Sequence, residues 1–329
     1  LSRRSDIEVQ GFSAWHRRPA PPDFSPTISV RKLKVPRPLL YEAWSRAPIP
    51  RLNVKGHDIV HSTTIVPPPA SNVPLVVSVH DLAFRRFPER FPGRARRLFE
   101  RSWRRVLERA DAVLCPSAAT SADLRAGGLA ADRLHLVPLG HDPRPVTKEA
   151  GLQARQRFGI DGSFVLAAGT LEPRKNIPTL IDAFARIASA TNTQLVLAGP
   201  TGWGITPQDL LHPLDTDTKN RVVITGAVTI DELAALYSEA TVFCYPSLLE
   251  GFGLPVLEAM SYRTPVVTSK GTATEEVAGD AALAIDPNSV GDLADALRTV
   301  LTDRHFAREL AQRGYERSTA FSWDSAASA

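Results

Sequence analysis

The sequence predicts an α/β protein built from two Rossmann-like, doubly wound parallel-sheet domains facing across a cleft. Three observations lead there. The chain has 329 residues, and a domain usually holds about 100–200 residues, so two compact units are expected. Short β-branched runs alternate with helical patterns from end to end, and near-continuous apolar strands between helices belong to parallel sheets covered on both faces. The third observation is an internal echo. Arg109-Ala-Asp-Ala-Val-Leu-Cys-Pro-Ser117 resembles Glu239-Ala-Thr-Val-Phe-Cys-Tyr-Pro-Ser247, and each follows an amphipathic helix.

In chain order the first half offers strands at Ile7–Val9, Asp58–His61, Leu75–Val79, Ala112–Cys115 and Leu134–Val137. The second offers Phe164–Ala168, Gln194–Ala198, Arg221–Thr225, Thr241–Tyr245, Pro265–Thr268 and Leu283–Ile285. Between them His141–Ala150 carries two prolines and no periodicity, which marks a linker. The expected division is an N-terminal domain over 1–145, a C-terminal domain over 146–310, and a closing segment over 311–329 that starts a helix returning to the first domain.

No apolar run approaches the roughly 18 residues of a membrane span. The chain opens at Leu1 without a basic stretch followed by an apolar one, so no signal peptide is read and a cytoplasmic location is expected. Cys115 and Cys244 each lie inside a strand-like apolar run and are read as buried small hydrophobes. Net charge is +4, but the excess of Lys and Arg is concentrated in the first half. Between Arg85 and Arg109 the arginines outnumber Glu89, Glu100 and Glu108 several-fold. Phe99, Trp103, Val106 and Ala110 recur at helical steps, while Arg94, Arg97, Arg101, Arg104 and Arg105 mark another side. That face is either a solvated helix surface or an attachment to anionic lipid headgroups, peripheral at the inner face of the membrane, or to a phosphate-bearing acceptor. Nucleic acid is not expected as a partner, because no aromatic stacking platform is interleaved with the arginines.

Ligands of open parallel sheets collect at the carboxyl ends of strands. After the strand Phe164–Ala168 comes Gly169-Thr-Leu-Glu-Pro-Arg-Lys-Asn-Ile177, where Arg174 and Lys175 sit beside a helix start over Pro178–Ala188. Two adjacent cations there are either solvated loop charges or a seat for a phosphate, which they would dominate, since hydrogen bonds to charged groups contribute about 1.5–3 kcal/mol each. After Thr241–Tyr245 comes Pro246-Ser-Leu-Leu-Glu-Gly-Phe-Gly-Leu-Pro-Val-Leu-Glu-Ala-Met260. Gly251 and Gly253 let backbone approach a ligand, and Pro255 suits a first helical turn. Amides at that helix start would face an anion. Glu250 precedes the helix and Glu258 lies within it, so they meet different parts of one ligand. Asp215-Thr-Asp217 mimics a metal-binding pair, but it lies in a polar loop and reads as a turn or helix cap. No His, Asp or Glu constellation has metal-ligand spacing, and no metal or cofactor is expected.

From about Leu75 to Thr319 the sequence resembles the retaining glycosyltransferases of family 4, which have the GT-B fold. The resemblance is carried by His80-Asp-Leu-Ala-Phe84, Val137-Pro-Leu-Gly140, Gly169-Thr-Leu-Glu-Pro-Arg-Lys-Asn176, and the pair Glu250 and Glu258. Pro265-Val-Val-Thr268 and Glu276-Val-Ala-Gly-Asp-Ala-Ala282 extend it. It implies transfer of a hexose, of mannose or glucose type, from a GDP- or UDP-linked donor to a glycan or lipid-linked acceptor. By the same resemblance Arg174 and Lys175 hold the donor diphosphate. Gly169, Thr170, Gly251, Phe252, Gly253 and Leu254 line the donor, Glu250 meets the sugar hydroxyls, and Glu258 the ribose. His80 faces the sugar from the acceptor-side domain, and His80, Glu250, Arg174 and Lys175 form the implied catalytic set. The resemblance also favours a front-face reaction through an oxocarbenium-like ion pair.

Three departures accompany the match. The family opens with a strand and a Gly-rich loop that this sequence lacks, and Leu1–Arg4 with Ile7–Val9 read as the tail of the first helix and the second strand. Phe321-Ser-Trp323 resembles the start of the family's final helix. Arg263 stands where a glycine often precedes the Thr-Pro-Val-Val run. Two other readings stay open: a non-catalytic sugar-nucleotide binding or assembly subunit, and a nucleotide-sugar epimerase or phosphorolytic enzyme of the same architecture.

Overall fold

The computed structural model describes residues 6–17, 26–69 and 72–329. These described residues form two compact units, one drawn from 1–116 and 121–137 with Ala329, and one of residues 117–120 and 138–328. Leu1–Arg4 lie outside the described residues.

The first unit holds a parallel pair, β1 (Gly11–Trp15) and β2 (Val30–Pro36), and a four-stranded parallel sheet. That sheet runs β3 (Val60–Ser62), β4 (Leu75–Ser78), β5 (Ala112–Cys115) and β6 (Leu134–Leu136) in sequence order. Ile7–Val9 is not a strand. The pairing falls on Gly11–Trp15 instead, where Ala14 is buried and Phe12 packs on the same small core. Along β4 and β5 buried residues alternate with half-buried ones, so only one face of this sheet is sealed. Trp103 and Val106 of the helix Gly93–Arg109 press on that face with Val77 and Val113, and the Trp103 indole donates to the Gly127 carbonyl at 3.1 Å.

The second unit is a six-stranded, all-parallel sheet. Its strands are β7 (Phe164–Ala168), β8 (Gln194–Ala198), β9 (Val222–Gly226), β10 (Val242–Tyr245), β11 (Val266–Ser269) and β12 (Leu283–Ile285), in the order β12-β11-β10-β7-β8-β9. Every residue of β7 and β10 is buried. The pleat sends Val165, Leu195 and Leu197 into a core shared with the helices Ile177–Thr191 and Val290–Thr302. Phe164, Leu166 and Val196 face the opposite core, with Ile230–Glu239 and Leu254–Ser261. Phe164 is fully buried, and truncating it to alanine costs about 3–5 kcal/mol. The strand order reverses between β7 and β10, and in such a sheet the crevice for a ligand opens at the carboxyl ends of those two strands.

The helix expected over Pro178–Ala188 runs Ile177–Thr191. Asp215 caps the short helix Thr216–Lys219, accepting from the Thr218 amide at 2.9 Å. Arg263 takes a left-handed φ of 59°, the reason a glycine suits that place, and its guanidinium rests on the Tyr315 ring at 3.7 Å. The chain closes with helices Arg304–Ser318 and Trp323–Ser328 in the second unit.

Candidate active site

The loop after β7 tightens into a 3-10 turn over Pro173–Lys175, ended by Asn176 in the left-handed region at φ 57°. Asparagine tolerates that conformation. Here its side chain also ties the turn down, donating to the Pro287 carbonyl at 2.6 Å and accepting from the Thr179 hydroxyl at 2.8 Å. The turn presents Arg174 and Lys175 toward the loop after β10, whose Leu248 amide donates to the Arg174 carbonyl at 2.8 Å.

Glu250 joins the two cations. Arg174 Nη1 donates to its Oε2 at 2.7 Å and to the Leu249 carbonyl at 3.3 Å, and Lys175 Nζ donates to its Oε1 at 2.7 Å. Lys175 also donates to the Tyr245 hydroxyl and stands 4.6 Å from that ring's centre. A fourth charge completes the cluster: Glu172, 4% exposed, forms an ion pair with Arg174, Nε to Oε1 at 2.5 Å. Two cations and two carboxylates therefore sit together with no formal net charge. Burial pushes the Glu250 carboxyl up, but Lys175 and Arg174 outweigh it and hold the group below the usual carboxylate range. Burial also draws the Lys175 ammonium down, against the pull of Glu250. For Arg174 the two carboxylates overcome burial and raise its value. Arg174 Nη2 makes no hydrogen bond among the described residues and remains available to an anion.

Beside this cluster a small crevice is lined by Ala168, Gly169, Thr170, Lys175, Tyr245 and Pro246, at the ends of β7 and β10. Directly after Glu250 the turn Gly251–Leu254 leads into the helix Leu254–Ser261. Gly253 has φ 117°, and a Cβ there would meet Thr274 Cγ2 at 3.0 Å, so this position needs glycine on both counts. The Phe252 ring is buried edge-on against Phe321, which leaves its backbone, not its side chain, for a ligand. Glu258 accepts the Tyr237 hydroxyl at 2.9 Å, and burial raises its carboxyl above the ordinary range.

In the first unit His80 is exposed, just past the end of β4, and its Nε2 lies 3.2 Å from the Thr63 carbonyl. A carbonyl partner requires that nitrogen to carry the hydrogen. The basic stretch is more occupied than its sequence suggests. Arg85 pairs with Glu100, Arg86 with Asp123, and Arg105 donates to the Arg46 carbonyl. Arg101, read as part of the open basic face, pairs with Glu42 at 2.8 Å. Arg94, Arg96, Arg97, Arg104 and Arg109 are exposed.

The structure thus brings together Gly169, Thr170, Arg174, Lys175 and Glu250 as the sequence grouped them. The sequence reading missed Glu172 and Tyr245. The acid two places before Arg174 was the one available sign of Glu172, and it becomes informative only once burial demands a partner for it.

Residues 153–317 match the model of the glycosyl transferases group 1, and residues 3–144 match that of glycosyltransferase family 4. The chain belongs to the family 4, group 1 glycosyltransferases. Among curated relatives, this glycosyltransferase is 34% identical over 257 residues to the O-antigen chain mannosyltransferase B of Escherichia coli, covering 76% of this chain and 67% of that one. It is 30% identical over 284 residues to the serotype-specific mannosyltransferase WbdA of the same organism, covering 82% of this chain and 34% of that one. The glycosyltransferase therefore spans about two thirds of the first relative and a third of the second. A solved structure of sucrose-phosphate synthase from Thermosynechococcus elongatus superposes with a TM-score of 0.77 at 26% identity, covering 97% of this chain and 86% of that one. The fold is GT-B, with parallel-sheet units of Rossmann type.

Proposed function

We propose that this glycosyltransferase moves a hexose, of mannose or glucose type, from a GDP- or UDP-linked donor to a glycan or lipid-linked acceptor with retention of anomeric configuration. The observation that carries the reading is the prebuilt cluster of Arg174, Lys175, Glu250 and Glu172 at the strand-order reversal between β7 and β10. Two mannosyltransferase relatives support the hexose class.

On this reading Arg174 and Lys175 stabilise the charge that grows on the diphosphate as the bond to the anomeric carbon breaks. Groups already fixed in a buried site do this with little reorganisation. The acceptor hydroxyl attacks from the same face, and a phosphate oxygen takes its proton. Glu250 holds both cations in place, and the lone pairs it has left accept sugar hydroxyls. Glu258 accepts the ribose hydroxyls, backbone at Gly251–Leu254 meets the sugar and phosphates, and His80 positions the sugar. The two cations take the role a divalent ion would otherwise fill, so turnover proceeds without metal. Loss of activity with chelator and recovery with magnesium or manganese would sink that part.

The reading is tested by screening labelled GDP- and UDP-hexoses for transfer, with product analysis both with and without acceptor. Transfer to acceptor supports it. Epimerised sugar without acceptor, or donor binding without turnover, would replace it with the epimerase or the binding-subunit reading. We further propose peripheral attachment at the cytoplasmic face of an anionic membrane through the exposed arginines of the Arg85–Arg109 region. No described helix is long and apolar enough to cross a membrane. Replacing Arg97 and Arg104 by Gln should weaken binding to vesicles containing anionic lipid, and unchanged binding returns the helix to a solvated surface.

A further inference from the structure

The carbonyl of Gly251 opens the Gly-Phe-Gly-Leu turn, and two buried hydroxyls take it: Ser117 Oγ at 2.6 Å and Thr120 Oγ1 at 3.0 Å. These side chains are 0% and 2% exposed, and the segment Ser117–Thr120 clusters with the second unit. That segment is itself held at its amides. Ser117 Oγ accepts the Thr120 amide at 3.0 Å, while the Glu276 carboxylate accepts those of Ala118 at 2.8 and 2.9 Å and Ala119 at 3.3 Å. Two fixed donors on one carbonyl leave the Gly251–Phe252 peptide little freedom to turn.

A trans peptide points its C=O and the following N–H in opposite directions. Holding the Gly251 carbonyl on Ser117 and Thr120 therefore aims the Phe252 N–H the other way. Among the described residues the amides of Phe252, Gly253 and Leu254 donate to no protein group, as expected of a turn kept open for an anion. We propose that Ser117 and Thr120 are positioning residues for the donor: they set the Gly251–Phe252 peptide so that the Phe252 N–H meets the diphosphate. The proposal rests on the reading of Gly251–Leu254 as the donor's phosphate contact.

The test is titration of UDP and GDP, with steady-state kinetics, on wild type, Ser117→Ala/Thr120→Val and Ser117→Ala/Thr120→Ser. The first double variant keeps side-chain shape but leaves the carbonyl without a partner, and the second restores one hydroxyl. Loss of a hydrogen bond to a charged group predicts diphosphate affinity about tenfold weaker or more in the first, with turnover falling alongside. The second should regain most of both. Should the first double variant fail to fold, Ser117→Ala and Thr120→Val singly should each show part of the loss. Affinity and turnover within twofold of wild type in the folded variants, or a loss that Thr120→Ser does not recover, overturns the proposal alone. Wild type binding neither UDP nor GDP would overturn the proposed function and this inference together.

Discussion

The carboxyl ends of the two larger sheets are built in different ways. At β7 and β10 every strand residue is buried, and the charged groups that follow are paired with one another before any ligand arrives. At β4 the strand alternates buried with half-buried residues, and the histidine that follows stands in solvent near the Thr63 carbonyl. The difference teaches where preorganisation is required. A buried charge must have partners, so a site on a sheet sealed on both faces is assembled with the fold. A site on a half-covered sheet can leave its polar group to be set by whatever binds.

Glu250 offers the strongest way to break this contrast. Glu250→Ala should lower unfolding stability by about 3–5 kcal/mol, because it leaves the buried Lys175 ammonium without its carboxylate partner, while Arg174 keeps only Glu172. Glu250→Gln should cut turnover by about a hundredfold while keeping or tightening UDP or GDP binding, since Arg174 and Lys175 lose a competing anion; this takes the loss of a charged bond as roughly 3 kcal/mol. Normal turnover in Glu250→Gln, measured beside a melting curve, would show that the cluster is only structural.

Smaller losses are expected from the cations singly. Arg174→Ala or Lys175→Ala should each reduce donor kcat/KM by about 1.5–3 kcal/mol. Wild-type kinetics in both would refute their assignment to the diphosphate. His80→Ala sharpens the comparison from the other side. Its stability should stay within about 0.5 kcal/mol of wild type while kcat/KM falls by roughly tenfold. A stability loss as large as that of the Glu250 variant would erase the contrast.

The smallest effect is in pH. The folded Glu258 value is raised by burial, so its stabilising contribution is complete below the unfolded value and lost as pH rises through the folded one. Glu250 lies the other way: its contribution is present above the ordinary carboxylate range and lost as pH falls through its lowered value. Melting curves across acid pH should thus show opposite slopes when wild type is compared with Glu258→Gln and with Glu250→Gln. Parallel slopes would mean that one of the two environments is wrong.

Much of the second unit could be read in the sequence because its strands are short, apolar on both faces and punctuated by Gly, Pro or Ser. Phe164–Ala168, Gln194–Ala198 and Leu283–Ile285 appear with the bounds the pattern suggests. The strand Val30–Pro36 was not foreseen, because Val-Arg-Lys-Leu-Lys-Val-Pro pairs only with β1 and keeps its charges in solvent. The grouping of the cations with Glu250 was legible as two loops after two strands. The direct contact between them was not, because spacing along a chain says nothing of which side chains meet. Ser117 stayed unnoticed for the same reason, although its Cys-Pro-Ser setting was matched to Tyr-Pro-Ser247.

The separation along the chain has a consequence for how the protein comes into being. Lys175 and Glu250 lie 75 positions apart in the chain, and their meeting depends on β10 lying against β7 in one register, Val242 beside Val165 and Phe243 beside Leu166. During synthesis the two cations leave the ribosome well before their principal partner exists. At about 5–20 residues per second the wait lasts several seconds, in which Glu172 is the one carboxylate of the cluster already made. The cluster closes only when the fourth strand of the sheet to be synthesised has found the first, so a nascent chain that stops short of it has the cations and lacks the site.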